Sequence, residues 1–197
     1  MTKYVPATIV IEKSATTSDW RDAPTYLRRR AEKLLSEAER NCLLESHSRL
    51  ALLLRCGEDQ TNFSLSRRGC YFAVAVHPFE KIGVDLEQVI DTDDIETVAS
   101  CYFPASLYKT HRLLPAIQQP RHFAACWSAL ESVAKLRSQP LETAGASLDS
   151  AVLYQGWVGD DLILSVALDR ETPLQVSGVT EYPPLLTRVS SHLTECL

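Results

Sequence analysis

Val, Ile and Ala crowd the segment VPATIVIEK (5–13), and a turn-prone SATTSD follows, so a strand is expected near the start of the chain. From about Pro24 to Leu54 the composition shifts to Leu, Ala, Glu and Arg and reads as helical, with Ser36 and Glu39 spaced as a capping box for a second helix. Three short β-type runs come next: TNFSLS (61–66), YFAVAV (71–76) and IGVDLE (82–87). RRGC and HPFEK separate them, which predicts an antiparallel meander. Thr92 to Tyr102 reads as a helix with acidic residues in its first turns and Pro104 as its limit. A loop holding Pro115 and Pro120 then leads into a long helix from Arg121 to Arg137, which ends before Pro140. The tail returns to strands, with AVLYQGWV (151–158) and DLILSVALD (161–169) joined at a Gly-Asp turn and PLQVSGVT (173–180) after them.

Helices and meanders therefore alternate, and the expected fold class is α+β. It divides near residue 90 into an N-terminal half (1–90) and a C-terminal half (91–197). The 197 residues, 45% of them hydrophobic, suffice for a core without staples. A formal charge of −5 argues against nucleic-acid binding through a general positive field. Cysteines 42, 56, 70, 101, 126 and 196 form no CxxC pair, so buried free thiols in a reducing cytoplasm are expected, and Cys126 on an apolar helix reads as an inert core thiol. No run approaches the roughly 18 to 20 apolar residues of a membrane span. A soluble, cytoplasmic protein is the expectation.

The candidate chemistry begins in IGVDLE. Asp85 and Glu87 are two residues apart on a predicted strand, so both carboxylates project from one face. Two readings stand on that spacing: a strand end dipping into solvent, or a pair of acids whose repulsion a hard divalent cation relieves. WSALESVAK (127–135) adds to this, because Trp127, Glu131 and Lys135 recur every four residues along one side of a helix. Glu131 can bring a third carboxylate to the same ion, and Lys135 a cation for a phosphate or a base for a proton. An exposed Glu131/Lys135 ion pair is the plain alternative, against which the tryptophan on the same stripe argues. The arginine run 28–30 with Lys33 reads as a solvated helix face. Histidines 47, 77, 111, 122 and 192 are scattered and read as structural or exposed. No Gly-x-Ser-x-Gly elbow, Walker loop or GxGxxG occurs.

NFSLS (62–66), GVDLE (83–87) and W-S-x-x-E-S-x-x-K (127–135), in that order, resemble the signature blocks of the 4'-phosphopantetheinyl transferases. The resemblance implies two similar α/β halves related by a pseudo-twofold, with coenzyme A and Mg²⁺ in the cleft between them. It implies transfer of the phosphopantetheine arm to a serine of an acyl or peptidyl carrier protein, by the monomeric branch of the family. Carried over by position, Asp85, Glu87 and Glu131 would be metal ligands, with Glu131 and Lys135 catalytic; Ser64, Ser66, Arg67 and Arg68 would face the nucleotide phosphates. Attack on a pyrophosphate needs charge neutralisation and positioning, which those residue types supply.

The chain departs from the family pattern at three places. The family's Ser-His-Ser has Leu65 at its centre, its Lys-Glu pair has become Leu130-Glu131, and Leu107 stands where the block near CYFPASLY often carries a glutamate. Three leucines lining a phosphate site would weaken its electrostatics. That keeps open a second reading, a relative that docks a carrier protein or another biosynthetic partner without transferring anything.

Overall fold

The computed structural model describes residues 6–13, 62–69, 71–77, 79–90, 94–178 and 184–189. The helical zone expected from Pro24 to Leu54 lies outside them. The strands are β1 (Ala7–Lys13), β2 (Asn62–Arg68), β3 (Tyr71–His77), β4 (Ile82–Gln88), β5 (Val152–Val158), β6 (Leu162–Leu168), β7 (Leu174–Gly178) and β8 (Thr187–Val189). Between β4 and β5 come α1 (Ile95–Tyr102), α2 (Ala105–Leu113), α3 (Gln119–Arg137) and α4 (Leu141–Ala144), with 3-10 turns at Ala116–Gln118 and Gly145–Ser150.

The strands form two four-stranded sheets, one in the order β2-β3-β1-β7 and the other β4-β6-β5-β8. Within the first, β2 and β3 make the expected hairpin, with Asn62 opposite His77 and Arg68 opposite Tyr71. The predicted three-strand meander ends there, because β4 pairs with β6 instead, placing Asp85 opposite Ser165. A corner built on His77 turns the chain between the sheets: its Nδ1 accepts the N–H groups of Phe79 and Glu80 at 3.2 and 2.8 Å. The β7 segment likewise does not extend the tail hairpin; it crosses to run parallel to β1, with Ile9 opposite Val176. Residue 90 is thus not where the sheets divide. β4 precedes it and belongs to the second sheet, while β7 follows it and belongs to the first.

The alternation within β4 and β6 explains the layering. Val84 and Leu86 join Leu162, Leu164 and Val166 in a core that includes Ile9, Ile11, Ala73 and Ala75 of the first sheet, so the sheets pack face to face. The opposite face of the second sheet carries the helices. There Phe103, Leu107, Leu130, Val133 and Leu136 gather over Leu153 and Ala167. α3 lies close on β4 because Gly83 has no side chain; a Cβ there would stand 1.9 Å from the Ser132 carbonyl oxygen. Both Asp85 and Glu87 are buried beside this helix, which removes the reading of a strand end in solvent.

Two helical features differ from expectation. Pro120 lies within the first turn of α3 and not in a loop, since the first turn has no N–H bond for a proline to break. Pro104, expected only to stop a helix, also starts one: it is the N-cap of α2. Of the described cysteines, Cys126 is buried as expected, whereas Cys101 is exposed. No described helix is long and apolar enough to cross a membrane.

Candidate active site

The two sheets meet along β2 and β4, an edge strand of each. They are joined by side chains. Ser64 Oγ accepts the Val84 N–H at 2.9 Å, and Ser66 Oγ accepts the Leu86 N–H at the same distance. Alternation along β2 puts both hydroxyls on one side, and alternation along β4 puts both N–H groups on the side turned away from β6. A cleft of about 560 Å³ opens beside this seam. Into it come Ser64, Ser66, Arg67 and Arg68 from β2, Asp85 and Glu87 from β4, and Glu131 and Lys135 from α3. The residues carried over as candidate ligands, catalytic groups and phosphate contacts all lie in its wall, whereas Trp127 packs against the helical core behind it.

Their partners refine the expected roles. Ser66 Oγ also donates to Asp85 Oδ1 at 2.8 Å, so this hydroxyl both fixes β4 and orients its carboxylate. Asp85 Oδ1 further accepts from Lys135 Nζ at 2.7 Å. Its Oδ2 is buried and has no hydrogen-bond partner among the described residues. Burial raises the Asp85 carboxyl to about 7, with Glu131 adding to the rise and Lys135 opposing it. Glu87 is raised by burial as well, against the pull of the Gln88 N–H and of Arg68, whose Nη2 lies 2.8 Å from Glu87 Oε1. Glu131 Oε1 accepts the Trp127 indole N–H at 2.9 Å, and its Oε2 is 3.7 Å from Lys135 Nζ. That contact explains the tryptophan on the Glu/Lys stripe, which also packs on Phe123 and edge-on to Tyr102.

The three acids therefore face two bases, Arg68 and Lys135, and each acid is turned toward a nitrogen. Among the described residues, no three His, Cys, Asp or Glu side chains are grouped so as to hold a metal ion. The trio shares a cleft without being drawn to one point. Arg67 and Arg68 belong to β2 itself and not to the turn after it, and Arg67 Nε donates to the Gly69 carbonyl. The leucine departures separate in space. Leu65 lines the cleft, whereas Leu107 and Leu130 are 1% and 0% exposed within the helical core, so they take no part in the cleft's electrostatics.

Phe63 and Ser138 line the cleft without having been foreseen. Ser138 follows the last helical residue of α3 with a left-handed φ of 51°, and its position between Arg137 and Pro140 is a helix-stop signal. Ser128 is also new, since its Oγ donates to the Asp85 carbonyl at 3.2 Å and ties α3 to the acidic strand. No protein-family model and no curated protein matches the chain.

Proposed function

We propose that this chain transfers the 4'-phosphopantetheine arm of coenzyme A to a serine of an acyl or peptidyl carrier protein, with Mg²⁺ as cofactor. The observation that carries the reading is the meeting of three separate sequence blocks, 62–66, 83–87 and 127–135, in the wall of one cleft between two sheets. A hard divalent cation fits the donor chemistry: the oxygens are carboxylates, and the buried Asp85 Oδ2 lacks a partner among the described residues. Asp85, Glu87 and Glu131 would hold the ion, which when bound neutralises charge on the pyrophosphate.

The remaining work belongs to the side chains. Arg67, Arg68 and Lys135 meet phosphate oxygens as point charges or forks. Lys135 would hold the pyrophosphate or help deprotonate the incoming serine, with Glu131, one-third exposed, as the catalytic residue beside it. Ser66 keeps the Asp85 carboxylate aimed while it braces the seam. Titration of coenzyme A into the protein should show binding that requires Mg²⁺ and is lost in Asp85→Ala. Incubation with a carrier protein should then add about 340 Da to the carrier, the mass of the arm. An unmodified carrier together with silent coenzyme A titrations would overturn the reading. Leu65 in the cleft wall favours the second reading, a carrier-docking relative; carrier binding without the mass gain is its signature.

A further inference from the structure

Lys135 Nζ stands between the two carboxylates that a shared cation would bridge. It is 2.7 Å from Asp85 Oδ1 and 3.7 Å from Glu131 Oε2, and it donates to the Val84 carbonyl at 3.1 Å. Among the described residues the ammonium donates hydrogen bonds to two of these oxygens and forms an ion pair with the third. It fills the place of a small cation held by oxygen ligands.

The two sides of the Lys135–Asp85 pair differ in freedom. The Asp85 side chain is 3% exposed, is held by Ser66 and extends from a strand enclosed between a sheet and a helix. Lys135 is 32% exposed, lies in the last turn of α3, and reaches the acid on a flexible four-carbon stem at the cleft wall. Of the two, the lysine can leave without moving the backbone.

We propose that Lys135 is the resident counter-ion of the cleft, and that a divalent cation binds by exchanging with its ammonium group on Asp85 and Glu131. The identity of that cation as Mg²⁺ rests on the transferase reading; the exchange is a further property of this chain's own residues. It accounts for why Asp85 and Glu131 are turned toward Lys135, while Glu87 keeps Arg68. It also gives the lysine a second position, since the displaced ammonium moves into the open cleft, where phosphate oxygens of a bound nucleotide would receive it. Metal binding and phosphate recognition then become linked through one side chain.

The test titrates Mg²⁺ by calorimetry, and Mn²⁺ by its paramagnetic resonance signal, into the wild-type protein and Lys135→Met. Removing the competing cation should tighten metal binding by about tenfold, the change that loss of one charge-assisted contact produces. Should the methionine variant fail to fold, the wild type carries the test alone: acylation of Lys135 by an amine reagent, read by peptide mass spectrometry, should speed up several-fold at saturating Mg²⁺. Metal binding that leaves both the affinity of Lys135→Met and the labelling rate of Lys135 unchanged overturns the exchange while the metal site stands. Absence of any metal binding in either protein removes the exchange and the Mg²⁺ of the transferase reading together.

Discussion

His122 has no exposed surface; its Nδ1 lies 3.3 Å from that of His111, and the Cys126 Sγ is 3.6 Å away. Burial chiefly, with His111 beside it, lowers His122 to about 4. The unfolded chain therefore takes up a proton below about pH 6.5 that the folded chain refuses. The stability due to the neutral ring is complete above pH 6.5 and is lost as the pH falls toward 4, by about 3 kcal/mol. Asp85 acts in the opposite sense, because its carboxyl is raised to about 7 in the fold, so ionising it costs stability as the pH rises from about 4 to 7. Urea unfolding between pH 4.5 and 6.5 should separate the two. Relative to the wild type, Asp85→Asn should gain stability more steeply with rising pH, and His122→Gln less steeply; equal slopes would remove the assignment. At this scale the site was largely legible. Alternation and helical spacing put Asp85, Glu87, Glu131 and Lys135 on the right faces of their own elements. What a hydroxyl or an ammonium binds across the molecule was not legible, because Ser64 and Lys135 find their partners about 20 and 50 residues away. Nor does local sequence distinguish a leucine in a cleft, Leu65, from one in the core, Leu130.

At the scale of elements, the contact between α3 and β4 brings Glu131 and Lys135 into one cleft wall with Asp85. It allows no side chain at position 83, where a Cβ would also come within 2.8 Å of the Leu136 backbone nitrogen. Backbone cannot yield as a side chain can. Gly83→Ala should lower stability by about 2–4 kcal/mol in denaturant unfolding and loosen the Ser128 bond to the Asp85 carbonyl. An unchanged midpoint would mean that α3 tolerates a shift from β4. Long, strongly patterned elements such as α3, and the hairpins β2–β3 and β5–β6, were foreseeable from period and turn residues; Gly159 supplies the left-handed residue of the second hairpin turn at φ 70°. The pairing of β4 and β7 was not, because alternation states which face of a strand is buried and is silent about its neighbour. α2 was missed because Pro104 signals a boundary without saying on which side the helix lies.

On the scale of the whole molecule, the halves exchange a strand each. β4 comes from the first half and completes the second sheet, and β7 comes from the second half and completes the first. Fragments 1–90 and 91–197 should each lack native dispersion in proton–nitrogen correlation spectra when expressed alone and regain it when co-expressed; a well-dispersed isolated fragment would argue against this interdependence. The α+β class followed from the order of helical and strand-like runs along the chain, whereas the exchange is a property of topology that no single run encodes. The serine-bridged seam between β2 and β4 has a consequence for solubility. A bare edge strand presents unpaired amides on which another molecule can template itself. Here two rims that would each invite such stacking are turned toward one another, and Ser64 and Ser66 occupy the amides of Val84 and Leu86. The seam that walls the cleft thereby also withholds these two amides of β4 from self-association into fibres.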